Sequence, residues 1–116
     1  MIHADFVPEN FLVEGRHVKI IAFDDAGFGW HLFERATALY FIQEDRHYAV
    51  AQQALIEGYR QVRRLPDQKL KHLPLFMGAR SFTYLGWVHT RSETETAKDL
   101  TPWLVMMSLN TINKYM

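Results

Sequence analysis

Three polar residues near the start of the chain have the types and spacing of a site for phosphoryl transfer. They are His3, Asp5 and Asn10, in the pattern H-x-D-x-x-x-x-N. A carboxylate at the second position can accept the proton of an attacking hydroxyl, and an amide oxygen five residues later can bind magnesium beside nucleotide phosphates. The spacing makes Asp5 a candidate general base and Asn10 a candidate metal ligand, with His3 supporting the loop through hydrogen bonds. By itself this spacing is a weak signal.

A β-hairpin is expected to hold this loop in place. The β-rich runs 11–13 and 17–23 flank a turn at residues 14–16, which contains Gly15. Alternation along the second strand places Val18, Ile20 and Ala22 on one face. We therefore expect the end of the hairpin to face the loop.

Asp24 lies two residues past Ala22, on roughly the same face, and is a further candidate metal ligand. The favoured alternative for Asp24 and Asp25 is a role as loop or cap carboxylates. Asp5 and Asn10 likewise have alternatives, as turn residues that hydrogen-bond to local backbone. A metal site formed by His3 with Asp5 is a less favoured alternative.

The run after the hairpin reads F-D-D-A-G-F-G over residues 23–29. Together with the loop motif and the hairpin, it resembles the catalytic core of the aminoglycoside phosphotransferase-like family, which includes choline and homoserine kinase relatives. That family typically shows H-G-D-x-x-x-x-N, then a hairpin that ends in I-D-F or I-D-W, then this run and a helix. The later helices are also similar to the family's C-terminal helices.

The resemblance implies an ATP-dependent phosphotransferase that acts on a hydroxyl of a small molecule. It implies Asp5 as the base, with Asn10 and a second aspartate as magnesium ligands. It also implies a nucleotide-binding lobe and several helices before the loop. The acceptor substrate cannot be read from these residues.

The sequence departs from the family pattern at three points. Ala22 stands where the second magnesium ligand is expected, and Glu34 replaces the helix aspartate that braces the loop. The chain begins immediately before His3, without the implied nucleotide-binding lobe. We therefore expect a truncated C-terminal part of a phosphotransferase, inactive alone, which does not bind ATP and Mg²⁺ productively. The alternative is a non-catalytic remnant that acts as a binding or oligomerising module.

The composition is that of an ordinary globular chain. Its 116 residues are 48% hydrophobic and 22% charged, which is enough for one domain with a modest core. Lysine plus arginine and aspartate plus glutamate number 13 each, which argues against a general nucleic-acid binder. The absence of cysteine, of a membrane-spanning run and of a secretory signal favours a cytoplasmic location.

The pattern becomes helical from His31. We predict a helix from His31, a second over 46–65 with Asp45 as its cap, and a third from Pro74 to about His89. Residues 92–95 form a capping-box pattern, and Thr101-Pro102 predicts a further helix start.

The predicted fold class is α+β and mostly helical: a catalytic loop and hairpin over 1–30, then about four helices over 31–116, in a single domain like part of a protein-kinase C-lobe. A basic helical face, with an anion site as the alternative, is expected to be solvated. We expect aromatic residues of the third and fourth helices to support self-association or contact with a missing lobe. The basic residues are Arg60, Arg63, Arg64, Lys69, Lys71 and His72.

Overall fold

A computed structural model describes residues 1–115, which form two compact units. The first unit is Met1–Leu73 and the second begins at Pro74. The proposal of a single domain over 1–116 stays a prediction.

The first unit opens with the loop and the predicted hairpin. A short 3-10 turn over Pro8–Asn10 leads into β1, Phe11–Glu14, which pairs antiparallel with β2, His17–Ile20. Gly15 begins the two-residue connection with a φ of 60°. This is the position at which tight hairpin turns favour glycine, because a side chain there would be strained.

The register gives the hairpin two different faces. Phe11 pairs with Ile20 and Val13 with Val18, so one face is wholly apolar. The opposite face carries the pairs Leu12 with Lys19 and Glu14 with His17.

The prediction that the second strand continues to Phe23 is wrong. β2 ends at Ile20, and Ala22 has a φ of 62°, far from the extended region. Strand alternation therefore stops before Ala22. The argument that placed Asp24 on the same strand face no longer holds.

Three helices complete the first unit. α1 covers His31–Tyr40, α2 covers Tyr48–Val62, and the short α3 covers Asp67–Leu70. α1 is the most buried, because every residue from Ala36 to Tyr40 is buried, and it contacts α2. α2 starts two residues later than predicted, although the Asp45 carboxylate accepts the His47 backbone N–H at 2.7 Å.

The second unit contains α4, which begins at the boundary as Leu73–Thr90, and α5, Glu95–Tyr115. Thr94 caps α5, since its hydroxyl accepts the Ala97 N–H at 3.2 Å. The predicted helix start at Thr101-Pro102 is wrong, because Pro102 lies inside α5. The helix continues past the proline with one buried stripe, whose members are Ala97, Leu104, Met107, Ser108 and Thr111.

The α+β, mostly helical part of the predicted class is confirmed, since residues 1–115 are mostly helical with one antiparallel hairpin. The likeness to part of a protein-kinase C-lobe stays a prediction. Among residues 1–115, no helix has the length and apolar character needed to span a bilayer.

Candidate active site: the loop around Asp5

Glu34 on α1 holds the start of the loop. Its two carboxylate oxygens accept the backbone N–H groups of His3 and of Ala4, the second at 3.1 Å. Both His3 and Glu34 are buried. Ala4 has a φ of 71°, which alanine rarely adopts. The longer side chain of glutamate therefore still reaches the loop backbone, at the position where the resemblance implies an aspartate.

The His3 ring connects the loop to the end of the hairpin. Its Nδ1 accepts the Asp5 backbone N–H at 3.2 Å, and its Nε2 lies 2.7 Å from the Ile21 carbonyl oxygen. Because Nδ1 accepts a hydrogen bond, the ring proton must be on Nε2, which donates it to Ile21. Both ring nitrogens are thus engaged, which argues against the alternative metal site formed by His3 with Asp5. The ring also packs edge-on against Phe23, with centroids 4.5 Å apart.

Asn10 is turned toward Asp5. Its amide Nδ2 donates to the Asp5 carboxylate oxygen Oδ2 at 3.0 Å and to the Asp5 carbonyl at 2.8 Å. Both residues are half-buried. The structure therefore brings the predicted base and the predicted metal ligand together. One carboxylate oxygen of Asp5, Oδ1, makes none of these bonds.

Ile21 links the hairpin end to both parts of the loop. Its carbonyl accepts from His3, and its N–H donates to the Asn10 carbonyl at 3.0 Å. Ala22 follows directly, exposed and with its left-handed φ of 62°. Ala22, which occupies the expected metal-ligand position, therefore directly follows Ile21, whose backbone anchors the loop.

The F-D-D-A-G-F-G run is fastened to the start of the chain. Ile2 and Gly27 exchange two backbone hydrogen bonds, at 2.7 and 3.0 Å. A Cβ at Gly29 would lie 2.6 Å from the Ile2 Cδ1 atom, so a larger residue there would require the Ile2 side chain to move. Asp24 and Asp25 are exposed, and a metal role for Asp24 stays a prediction.

The donor set lacks one of the two magnesium ligands that the resemblance implies. Magnesium demands near-octahedral oxygen ligation and is usually held through one or two carboxylates. Ala22 offers no side-chain donor, so of the two ligands that the resemblance implies only the Asn10 amide has a side-chain oxygen.

The basic residues at the end of α2 and beyond it are exposed, and the alternative of an anion site there stays a prediction. Arg60 pairs with Asp67 at 2.7 Å and also donates to the Leu65 carbonyl. The other members predicted for this face, Arg63, Arg64, Lys69, Lys71 and His72, are exposed.

Comparison with known proteins places the chain in a family. Residues 1–65 match the model of the phosphotransferase enzyme family, which is more than half of the chain. The chain belongs to this family. No curated protein and no solved structure matches it.

The sequence pattern did not identify two residues that contact the Asp5 loop, Ile21 and Arg35. Ile21 acts through its backbone, which no side-chain pattern reveals. Arg35 lies on α1 with its guanidinium carbon 4.2 Å from the Tyr59 ring centroid and 6.0 Å from that of Phe6. The one signal in the sequence for Arg35 was its charge, next to Glu34 and directly before the apolar run of α1.

Proposed function

We propose that this chain is the C-terminal, kinase-like lobe of a cytoplasmic, ATP-dependent small-molecule O-phosphotransferase, and that it does not transfer phosphate alone. Membership of the phosphotransferase family supports the reaction class. The observation that carries the proposal is the loop geometry combined with Ala22. Asp5 is held by hydrogen bonds with His3 and Asn10, while Ala22, next to Ile21, offers no side-chain metal ligand.

Asp5 is the residue proposed to act on the acceptor. Asn10 fixes one carboxylate oxygen and His3 fixes the Asp5 backbone N–H. The remaining oxygen, Oδ1, could then accept the proton of an acceptor hydroxyl. In this reaction class most of the rate enhancement comes from positioning and charge stabilisation at the phosphates. A correctly held base is therefore insufficient for turnover.

A coupled assay of ADP release tests this proposal. The purified chain is given ATP, magnesium and a panel of small hydroxyl compounds, with Asp5→Asn as the matched control. We expect the two proteins to give the same background rate of ADP release, because Ala22 cannot act as the second metal ligand that would hold the nucleotide phosphates. Turnover by the parent chain that Asp5→Asn abolishes would show that the chain is a complete catalyst.

A second candidate function, an oligomerising module, is favoured by exposed apolar side chains on both helices of the second unit. Phe82 on α4 is 61% exposed and Leu109 on α5 is 57% exposed. Other exposed apolar side chains on these helices are Leu75, Trp87, Val105 and Met106. Apolar surface of this kind, when contiguous, marks contact sites.

Light scattering at micromolar concentration tests the second candidate. We expect a dimer or larger species, which Phe82→Gln weakens because it removes apolar surface. The neighbouring exposed Thr83, changed to glutamine, is the control. A monomeric parent chain that binds no hydrophobic dye would exclude this function.

A further inference from the structure

Arg35 is a charged side chain in an apolar setting within the first unit. Its guanidinium lies over the Tyr59 ring of α2, and the Phe6 ring is also within 6.0 Å. Phe6 follows Asp5 directly in the chain. Arg35 therefore lies between α2 and the loop that carries the proposed base.

Two of the three guanidinium nitrogens lack hydrogen-bond acceptors among residues 1–115. The Nε and Nη1 atoms are both shielded from solvent and have no hydrogen-bond partner. The adjacent carboxylate, Glu34, directs both of its oxygens to the backbone of His3 and Ala4. No ion pair in the described chain includes Arg35.

This arrangement is costly for the protein. A shielded donor without a partner loses its hydration and gains no compensating bond. Burial lowers the pKa of Arg35 from its ordinary value. Tyr59, which also forms a side-chain hydrogen bond with Arg35, and Glu34 oppose that shift. The aromatic rings offset part of the cost, but the N–H groups on Nε and Nη1, which point outward in the plane of the guanidinium, remain unused.

We propose that Arg35 is an oxyanion-binding residue, which takes a phosphate or carboxylate group beside the Asp5 loop. A guanidinium matches the planar oxygens of both groups and can donate two parallel hydrogen bonds to either. Part of the Arg35 side chain remains accessible, while Nε and Nη1 are shielded. The proposal therefore requires a side-chain rotation that turns these N–H groups toward an approaching anion. The Tyr59 and Phe6 rings would then flank the ion pair. The proposal does not depend on catalysis by this chain.

Thermal unfolding in different anions tests the site. The parent chain, Arg35→Met and Arg64→Met are compared in inorganic phosphate, acetate and chloride at equal ionic strength. A ligand that binds only the folded state raises Tm as its concentration increases. We expect phosphate or acetate to raise the Tm of the parent and of Arg64→Met in a saturable way. Arg35→Met should lose this dependence, with binding weakened about tenfold or more.

Comparison of the phosphate and acetate measurements shows which kind of oxyanion binds. A response to phosphate alone indicates a phosphate group, and a response to acetate indicates a carboxylate. Equal Tm of the parent in all three anions would overturn the proposal, as would an unchanged response in Arg35→Met.

A second measurement protects the test against a variant that fails to fold. The Arg35 side-chain N–H signal of the parent is followed by NMR during phosphate and acetate titrations. We expect a saturable shift of that signal with at least one of the two anions. A signal that does not move with either anion would also overturn the proposal.

Discussion

Ala4 and Ala22 are the two non-glycine residues with positive φ among residues 1–115, at 71° and 62°. The left-handed conformation costs an L-residue about 1–2 kcal/mol, while glycine loses about 0.5–1 kcal/mol more backbone entropy on folding. The difference predicts that Ala4→Gly and Ala22→Gly each stabilise the chain by about 0.5–1 kcal/mol. Chemical denaturation of the parent and both variants measures this.

Ala26 provides the matched control for these glycine substitutions. It lies in the same exposed loop as Ala22 but does not have a positive φ. Ala26→Gly relieves no strain, so it should destabilise the chain by about 0.4–1 kcal/mol through the unfolded state. Equal destabilisation by all three substitutions would mean that Ala4 and Ala22 do not have a left-handed backbone in solution.

At the level of elements, α1 braces the loop through Glu34. Removing its carboxylate leaves the N–H groups of His3 and Ala4 without acceptors, and an unpaired buried donor costs about 1–3 kcal/mol. Glu34→Ala should therefore destabilise the first unit by about 2–4 kcal/mol. Hydrogen exchange should also show faster exchange at the amides of His3 and Ala4.

Glu44 is the control for this element. It is exposed and lies just beyond the end of α1. Glu44→Ala should change the free energy of unfolding by less than about 0.5 kcal/mol. A loss of stability in Glu34→Ala no larger than this would mean that α1 does not hold the loop.

Across the whole molecule, periodic patterns were the most reliable guide. The hairpin turn at Gly15, the start of α1 at His31 and the start of α4 near Pro74 follow from alternation, helical spacing and proline placement. The left-handed backbone at Ala22 could not be predicted, because alanine carries no signal for it. The helix start predicted at Pro102 was wrong for a related reason. The local preference of proline for a helix start was outweighed by burial of the apolar stripe that runs through α5 on both sides of Pro102.

The site shows the same division between local and tertiary information. The loop spacing predicted which residues belong near one another, and Asn10 does meet Asp5. The bonds that fix the loop come from Glu34 and from the backbone of Ile21, which are 31 and 18 residues from His3 in the chain. Motif spacing alone cannot supply such contacts. Nor could it show that Arg35 is shielded, since that depends on how Tyr59 and Phe6 pack.

Manganese titration of the parent chain and Ala22→Asp by calorimetry tests most directly whether the loop is a phosphotransferase site that lacks one ligand. We predict that Ala22→Asp binds manganese measurably more tightly than the parent, because a carboxylate beside Ile21 would join Asn10 as an oxygen donor. Adding Asn10→Ala to the variant should remove most of the gain, and kinase activity should remain absent. Equal manganese binding by the parent and Ala22→Asp would contradict the alignment of the hairpin end with the loop.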